Sequence, residues 1–193
     1  MVRSRTVGAI AALMTAALGA AAVPAQAAPA AASQVAACPT GWGSLDKAFT
    51  ASSAESVRDV RTGRHDCYDR LVVDVPGASA DGLGFSVGYV DQIYQDGSGH
   101  PVPVGGGAIL EVRVHAPAYD PETGEATYPA TSGQPLPGVD LTGYATFRDA
   151  RFVGSFEGDT QLGLGVRARL PFRVLRLADR LVIDVAHSWG STG

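Results

Sequence analysis

Cysteine is scarce in this 193-residue chain: there are two, Cys38 and Cys67, too few for a disulfide-dense scaffold. A basic excess is missing as well. Fifteen Lys and Arg stand against 19 Asp and Glu, for a formal charge of −4. That argues against a nucleic-acid binder, which carries a positive footprint. Windows free of helix breakers are few, because 24 Gly and 12 Pro punctuate the chain and each is costly inside a helix. Chemistry-bearing motifs are absent too. No G-x-S-x-G elbow or H-E-x-x-H spacing occurs, and no twelve-residue calcium loop spans Asp120, Glu122 and Glu125. The glycines at 105–107 and at Gly163 and Gly165 lack the strand-to-helix setting that cradles phosphate. No cofactor or metal is expected.

What the chain does have begins with alanine: sixteen of the first 37 residues. Met1–Ala27 reads as a secretory signal peptide. Arg3 and Arg5 form its basic start, residues 7–23 its apolar run, and Ala25-Gln26-Ala27 its cleavage site. Cleavage would remove two arginines, leave 166 residues with a charge of −6, and leave no segment for stable membrane insertion. Residues 28–56 read as a disordered linker of Ala, Ser, Pro and Gly, and residues 188–193 as a short tail. Val35-Ala36-Ala37-Cys38 has the shape of a lipobox, which would make the protein a lipoprotein anchored at Cys38. Its distance from the apolar run instead favours a Cys38–Cys67 disulfide, stable in an oxidising compartment. Trp42 and Leu45 would dock once that bridge forms.

From Val57 onward the apolar residues alternate. Leu71, Val73 and Val75 form one such run, and Leu110, Val112 and Val114 another. Turn signals separate the runs, including Asp96-Gly97-Ser98-Gly99 and Pro121-Glu122-Thr123-Gly124. Short strands with Gly/Pro-rich loops predict an all-β domain over 57–187, a single antiparallel sandwich of two packed sheets. Asp69-Arg70-Leu71-Val72-Val73-Asp74-Val75 recurs as Asp179-Arg180-Leu181-Val182-Ile183-Asp184-Val185. These are read as equivalent strands in two related sheet halves. Arg70 with Asp74, and Arg180 with Asp184, would share a strand face, and the expected role of these residues is a surface or cross-strand ion pair that fixes register rather than catalysis.

The segment from Val60 through Cys67 to Asp74 resembles the start of the AMIN-like domain of exported actinobacterial proteins. Tyr89, the Asp96–Gly99 turn, Gly105–Leu110, Phe156-Glu157-Gly158, Pro171–Val174 and Arg180–Val185 follow the same pattern in order. The resemblance implies two packed sheets and a role like that of AMIN domains, which attach amidases and secretion machinery to the cell wall. No amidase or secretin segment accompanies the domain, so the expected partner is separate: a cell-wall polymer or an envelope protein. The resemblance carries over no catalytic residues. The expected location is secreted or wall-associated, and the expected state a monomer.

The ligand-facing candidates are electrostatic. Between Tyr144 and Arg180 lie seven arginines and four acids. Arg167, Arg169 and Arg173 would share one face of a continuous strand, which Pro171 interrupts. With Arg151 they form the candidate set for carboxylate or phosphate groups, which guanidinium forks bind in bidentate fashion. Tyr89, Tyr94 and Tyr144 are candidates for stacking on sugar rings. A competing reading is a small wall-acting hydrolase built on Glu157 and Asp159 or on His65. A third is a protein-partner or inhibitor module offering an exposed sheet edge.

Overall fold

The computed structural model describes Cys38 and residues 41–190. The signal peptide, residues 28–37 of the linker and residues 191–193 of the tail lie outside the described residues.

The alternating runs form eleven strands: β1 (Lys47–Phe49), β2 (Asp59–Arg64), β3 (Tyr68–Asp74), β4 (Phe85–Val90), β5 (Ile93–Tyr94), β6 (Pro101–Val102), β7 (Ala108–Val114), β8 (Phe147–Phe156), β9 (Asp159–Val166), β10 (Phe172–Leu177) and β11 (Arg180–Ala186). All strand pairs are antiparallel. A five-stranded sheet has the order β1-β4-β7-β9-β8 and a four-stranded sheet the order β10-β11-β3-β2. Period-two patterning sends Val87, Leu110, Val112, Leu162 and Leu164 of the first sheet into a core shared with Leu71, Val73, Leu181, Ile183 and Phe172 of the second.

The two-sheet expectation needs one correction. β5 and β6 form a third, two-stranded sheet. Ile93 and Val102 of that hairpin bury a small second core with Val153 of β8, flanked by Val90 and Val104. Glycine in β9 permits the close approach: a Cβ at Gly163 would meet Val104 Cγ2 at 2.8 Å, and one at Gly165 would collide with the Gly105 carbonyl. β9 is consequently buried on both faces.

The segment read as linker contributes structure from residue 41 onward. Lys47–Phe49 forms β1, the edge strand beside β4. Cys38 is bridged to Cys67 with a Cα–Cα distance of 5.3 Å, so its sulfur is not free to carry the thioether of a lipid anchor. Trp42 docks, its ring 5.6 Å from that of Tyr68, while Leu45 remains 77% exposed.

The echoed heptads are corrected more sharply. They are not in separate halves but are adjacent strands of one sheet. β11 pairs with β3 so that Arg180 faces Asp74, Val182 faces Val72 and Asp184 faces Arg70. Antiparallel pairing of two copies of Arg-x-x-x-Asp sets each arginine against the other copy's aspartate. The ion pairs therefore run between strands rather than along them.

Candidate functional site

The outer face of the four-stranded sheet carries polar rows across its strands. In one row, Arg70 Nε and Nη2 donate to the two oxygens of Asp184 at 2.6 and 2.9 Å, and Arg173 Nε donates to Asp184 Oδ2 at 2.8 Å. Asp184 is fully buried between these guanidinium groups. The hydrogen bond to Asp184 raises the Arg70 guanidinium above its ordinary value. In the other row, Asp74 accepts from Arg61 at 2.7 Å and lies 3.7 Å from Arg180. Aromatic rings cap the first row: the Arg173 guanidinium sits 4.4 Å over Trp42, and His65 stacks on Tyr68 at 4.5 Å.

The two Asp residues that open the echoed heptads have different fates. Asp179 adopts a φ of 66° in the turn before β11, and its carboxylate accepts from the Gly77 amide at 2.8 Å. Asp69 is buried and accepts from the amides of Thr146 and Phe147 at 2.5 and 3.0 Å, joining β3 to the start of β8. His187 Nε2 lies 3.1 Å from its other oxygen. The partner of Asp69 is thus His187, not the nearby His65. Because they are 118 positions apart in the chain, no spacing signal points to the pair.

The four candidate arginines do not share a face. β9 ends at Val166 and β10 starts at Phe172, so the strand expected to align Arg167, Arg169 and Arg173 is broken around Pro171. Arg173 belongs to the Asp184 row. Arg151 lies on β8 of the other sheet, with Nε 2.9 Å from both oxygens of Asp149. Arg167 and Arg169 stay together in the β9–β10 connection, both exposed. Arg167 donates to the His187 carbonyl at 2.5 Å. Arg169 contacts Ser44 at 3.3–3.4 Å and lies 5.1 Å over the Tyr89 ring. Neither has a carboxylate partner among the described residues. Beside them Trp189, 56% exposed, donates from Nε1 to the Arg169 carbonyl.

Arg169 also lines a cleft of about 380 Å³, together with Tyr89, Val90, Asp91, Val104 and the β6–β7 loop. A second cleft of about 280 Å³, bordered by Asp46, Gly88 and Glu111, shares Tyr89 and Val90 with it. Tyr89 itself is a structural residue: its hydroxyl donates to the Leu170 carbonyl and accepts from the Leu170 amide, and burial raises its pKa. Tyr144 stacks on Phe147, which leaves Tyr94, 51% exposed, as the open ring of the three.

The residues proposed for hydrolysis do not converge. Glu157 occupies the β8–β9 turn with a φ of 49°, and His65 the β2–β3 turn of the other sheet. Asp159 lines a cleft of only about 80 Å³ that neither of them borders. Among the described residues, no group of three His, Cys, Asp or Glu side chains is placed to hold a metal ion.

A family model described as the AMIN-like domain matches residues 55–187, which span both main sheets and the hairpin. The chain belongs to the AMIN-like domain family. Neither a curated protein nor a solved structure matches this AMIN-like chain.

Proposed function

We propose that this AMIN-like protein is an exported, non-enzymatic binding module that associates with an anionic cell-wall polymer or an envelope partner. Membership of a family that is generally wall-associated supports the reading. The observation that carries it is the state of the arginines. Arg151 and Arg173 are neutralised by Asp149 and Asp184, whereas Arg167 and Arg169 project from the β9–β10 connection with no carboxylate of their own among the described residues. Such forks bind carboxylate or phosphate oxygens in pairs, and Trp189 beside them offers a flat apolar surface to a sugar or peptide.

Co-sedimentation with purified wall sacculi tests the proposal. At low salt the protein pellets, and the fraction falls as salt screens the exposed charges. Replacing Arg167 and Arg169 together with Ala abolishes pelleting, while Arg151→Ala leaves it unchanged. Failure to pellet at low salt, or pelleting indifferent to the double replacement, overturns the wall-polymer reading.

A further inference from the structure

Two exposed charges of opposite sign, Asp91 and Arg169, line one cleft without pairing. The cleft, of about 380 Å³, lies where three connections meet at one end of the five-stranded sheet. Asp91 opens the link from β4 to β5, Gly106 and Gly107 belong to the β6–β7 loop, and Arg169 stands on the β9–β10 connection. Among the described residues Asp91 has no side-chain partner, Arg169 has no carboxylate, and no ion pair joins the two. Val90, Val104, Ala108 and Ile109 add apolar lining. The walls are held by the fold itself. The Tyr89 hydroxyl bonds both the amide and the carbonyl of Leu170, and the Gly107 amide donates to the Val166 carbonyl at 2.8 Å. A Cβ at Gly107 would collide with the Arg167 carbonyl. Arg169 is also aimed: Nε and Nη2 donate to Ser44 at 3.4 and 3.3 Å, and the guanidinium lies 5.1 Å over the Tyr89 ring. Its Nη1 is left without a partner among the described residues.

We infer that this cleft binds a small zwitterion, a short peptide that carries both a free ammonium and a free carboxylate. Arg169 donates to the carboxylate, Asp91 accepts from the ammonium, and small aliphatic side chains meet Val90 and Val104. A preformed, partly apolar cavity with a few placed polar groups is the setting in which small ligands bind. The sign of the charges selects the class. A purely anionic ligand gains at Arg169 but is repelled at Asp91, and Asp46 and Glu111 of the adjoining cleft repel it further. A purely cationic ligand is repelled at Arg169. The length follows from the same two residues: they do not reach each other, and an extended dipeptide separates its charges by about 7 Å. This ligand class rests on the reading of Arg169 as a ligand-facing group but does not require binding to wall polymer.

The test uses the oxidised protein, amide-resolved NMR and one probe, the dipeptide alanyl-alanine, with its two ends charged near pH 7. Titration is expected to shift the amides of Val90, Gly106, Gly107 and Arg169. Acetylating the amine or amidating the carboxylate should each weaken binding about tenfold, as loss of a charged hydrogen bond does. Asp91→Asn and Arg169→Gln should weaken it similarly. Each variant should also erase the penalty of its own end alone: Asp91→Asn that of acetylation, Arg169→Gln that of amidation. Equal binding of either capped dipeptide overturns the inference, as do penalties that neither variant erases or an absence of shifts at millimolar probe. Sedimentation on sacculi separates this ligand from the wall reading. Dipeptide binding without pelleting sustains the inference while the wall reading fails, and pelleting without dipeptide binding overturns the inference alone.

Discussion

Arg70 and Asp184 are 114 residues apart in the chain, yet they face each other across β3 and β11 with two hydrogen bonds of 2.6 and 2.9 Å. Arg173 reaches the same carboxylate from β10, so one buried anion ties three strands of the four-stranded sheet. Removing the anion leaves two partly covered guanidinium groups facing each other, whereas removing one arginine leaves the other in place. Asp184→Ala should therefore cost about 3 kcal/mol, the scale of a broken buried pair, and Arg70→Met clearly less. Urea unfolding midpoints decide it, and equal losses for the two variants would refute the shared-anion account.

Tyr128 has the reverse problem. Its hydroxyl is buried with no hydrogen-bond partner among the described residues, and burial pushes its pKa far above the ordinary value. The folded state thus holds the proton where the unfolded chain releases it, from about pH 10 upward. In that window the unfolded state binds fewer protons, so stability falls as pH rises. Tyr128→Phe removes both the unpaired hydroxyl and this titration. The variant should be at least as stable at pH 7, by up to about 1 kcal/mol, and should lose less stability between pH 9 and 11. A parallel decline in thermal midpoint with pH for the two proteins would contradict the assignment.

The packing of the β5–β6 hairpin and the loop after it on β9 depends on two glycines that act differently. At Gly163 an added methyl meets the end of a movable side chain, but at Gly165 it meets the backbone of residue 105. Gly165→Ala should cost about 2 kcal/mol through overpacking, more than Gly163→Ala. In Gly163→Ala, whose added methyl meets Ile93 and Val153 as well as Val104, hydrogen exchange should rise at Ile93 and Val102. Unchanged protection there would show that the hairpin is held by other contacts.

The Cys38–Cys67 bridge fastens a strap rather than the core. It closes a 29-residue separation, worth about 3 kcal/mol in a chain-entropy estimate. The strap lays Trp42 on Arg173 and Tyr68 and accepts the Phe172 amide at the Gly43 carbonyl. In a Trp189→Phe background, reduction should shift Trp42 emission to the red while the far-ultraviolet sheet signal persists. Loss of the sheet signal on reduction would make the bridge part of the core's own stability.

Much of the fold is legible in single residues. Alternation at Leu71, Val73, Leu110 and Val112 marks the core faces because strand geometry sends every second side chain the same way. The cysteine pair is legible because only one pairing exists. The echoed heptads announce related strands but not their relation, since nothing local distinguishes neighbours in one sheet from counterparts in two. The candidate arginines illustrate the same boundary. Arg167, Arg169 and Arg173 are equally spaced, yet Pro171 and the end of β9 separate a neutralised Arg173 from an uncompensated Arg169. The Asp69–His187 contact left no trace at all.

Periodicity by itself determined strand type and the core faces, the order of the motifs carried the resemblance to the AMIN-like family, and the distance of Cys38 from the apolar run favoured the disulfide over a lipid anchor. Only the tertiary structure decided which charges are cancelled and which line a cleft unpaired. Those properties depend on register and on chain-distant neighbours. A guanidinium beside a buried carboxylate and one facing a cleft have the same sequence signature, and only packing sets them apart.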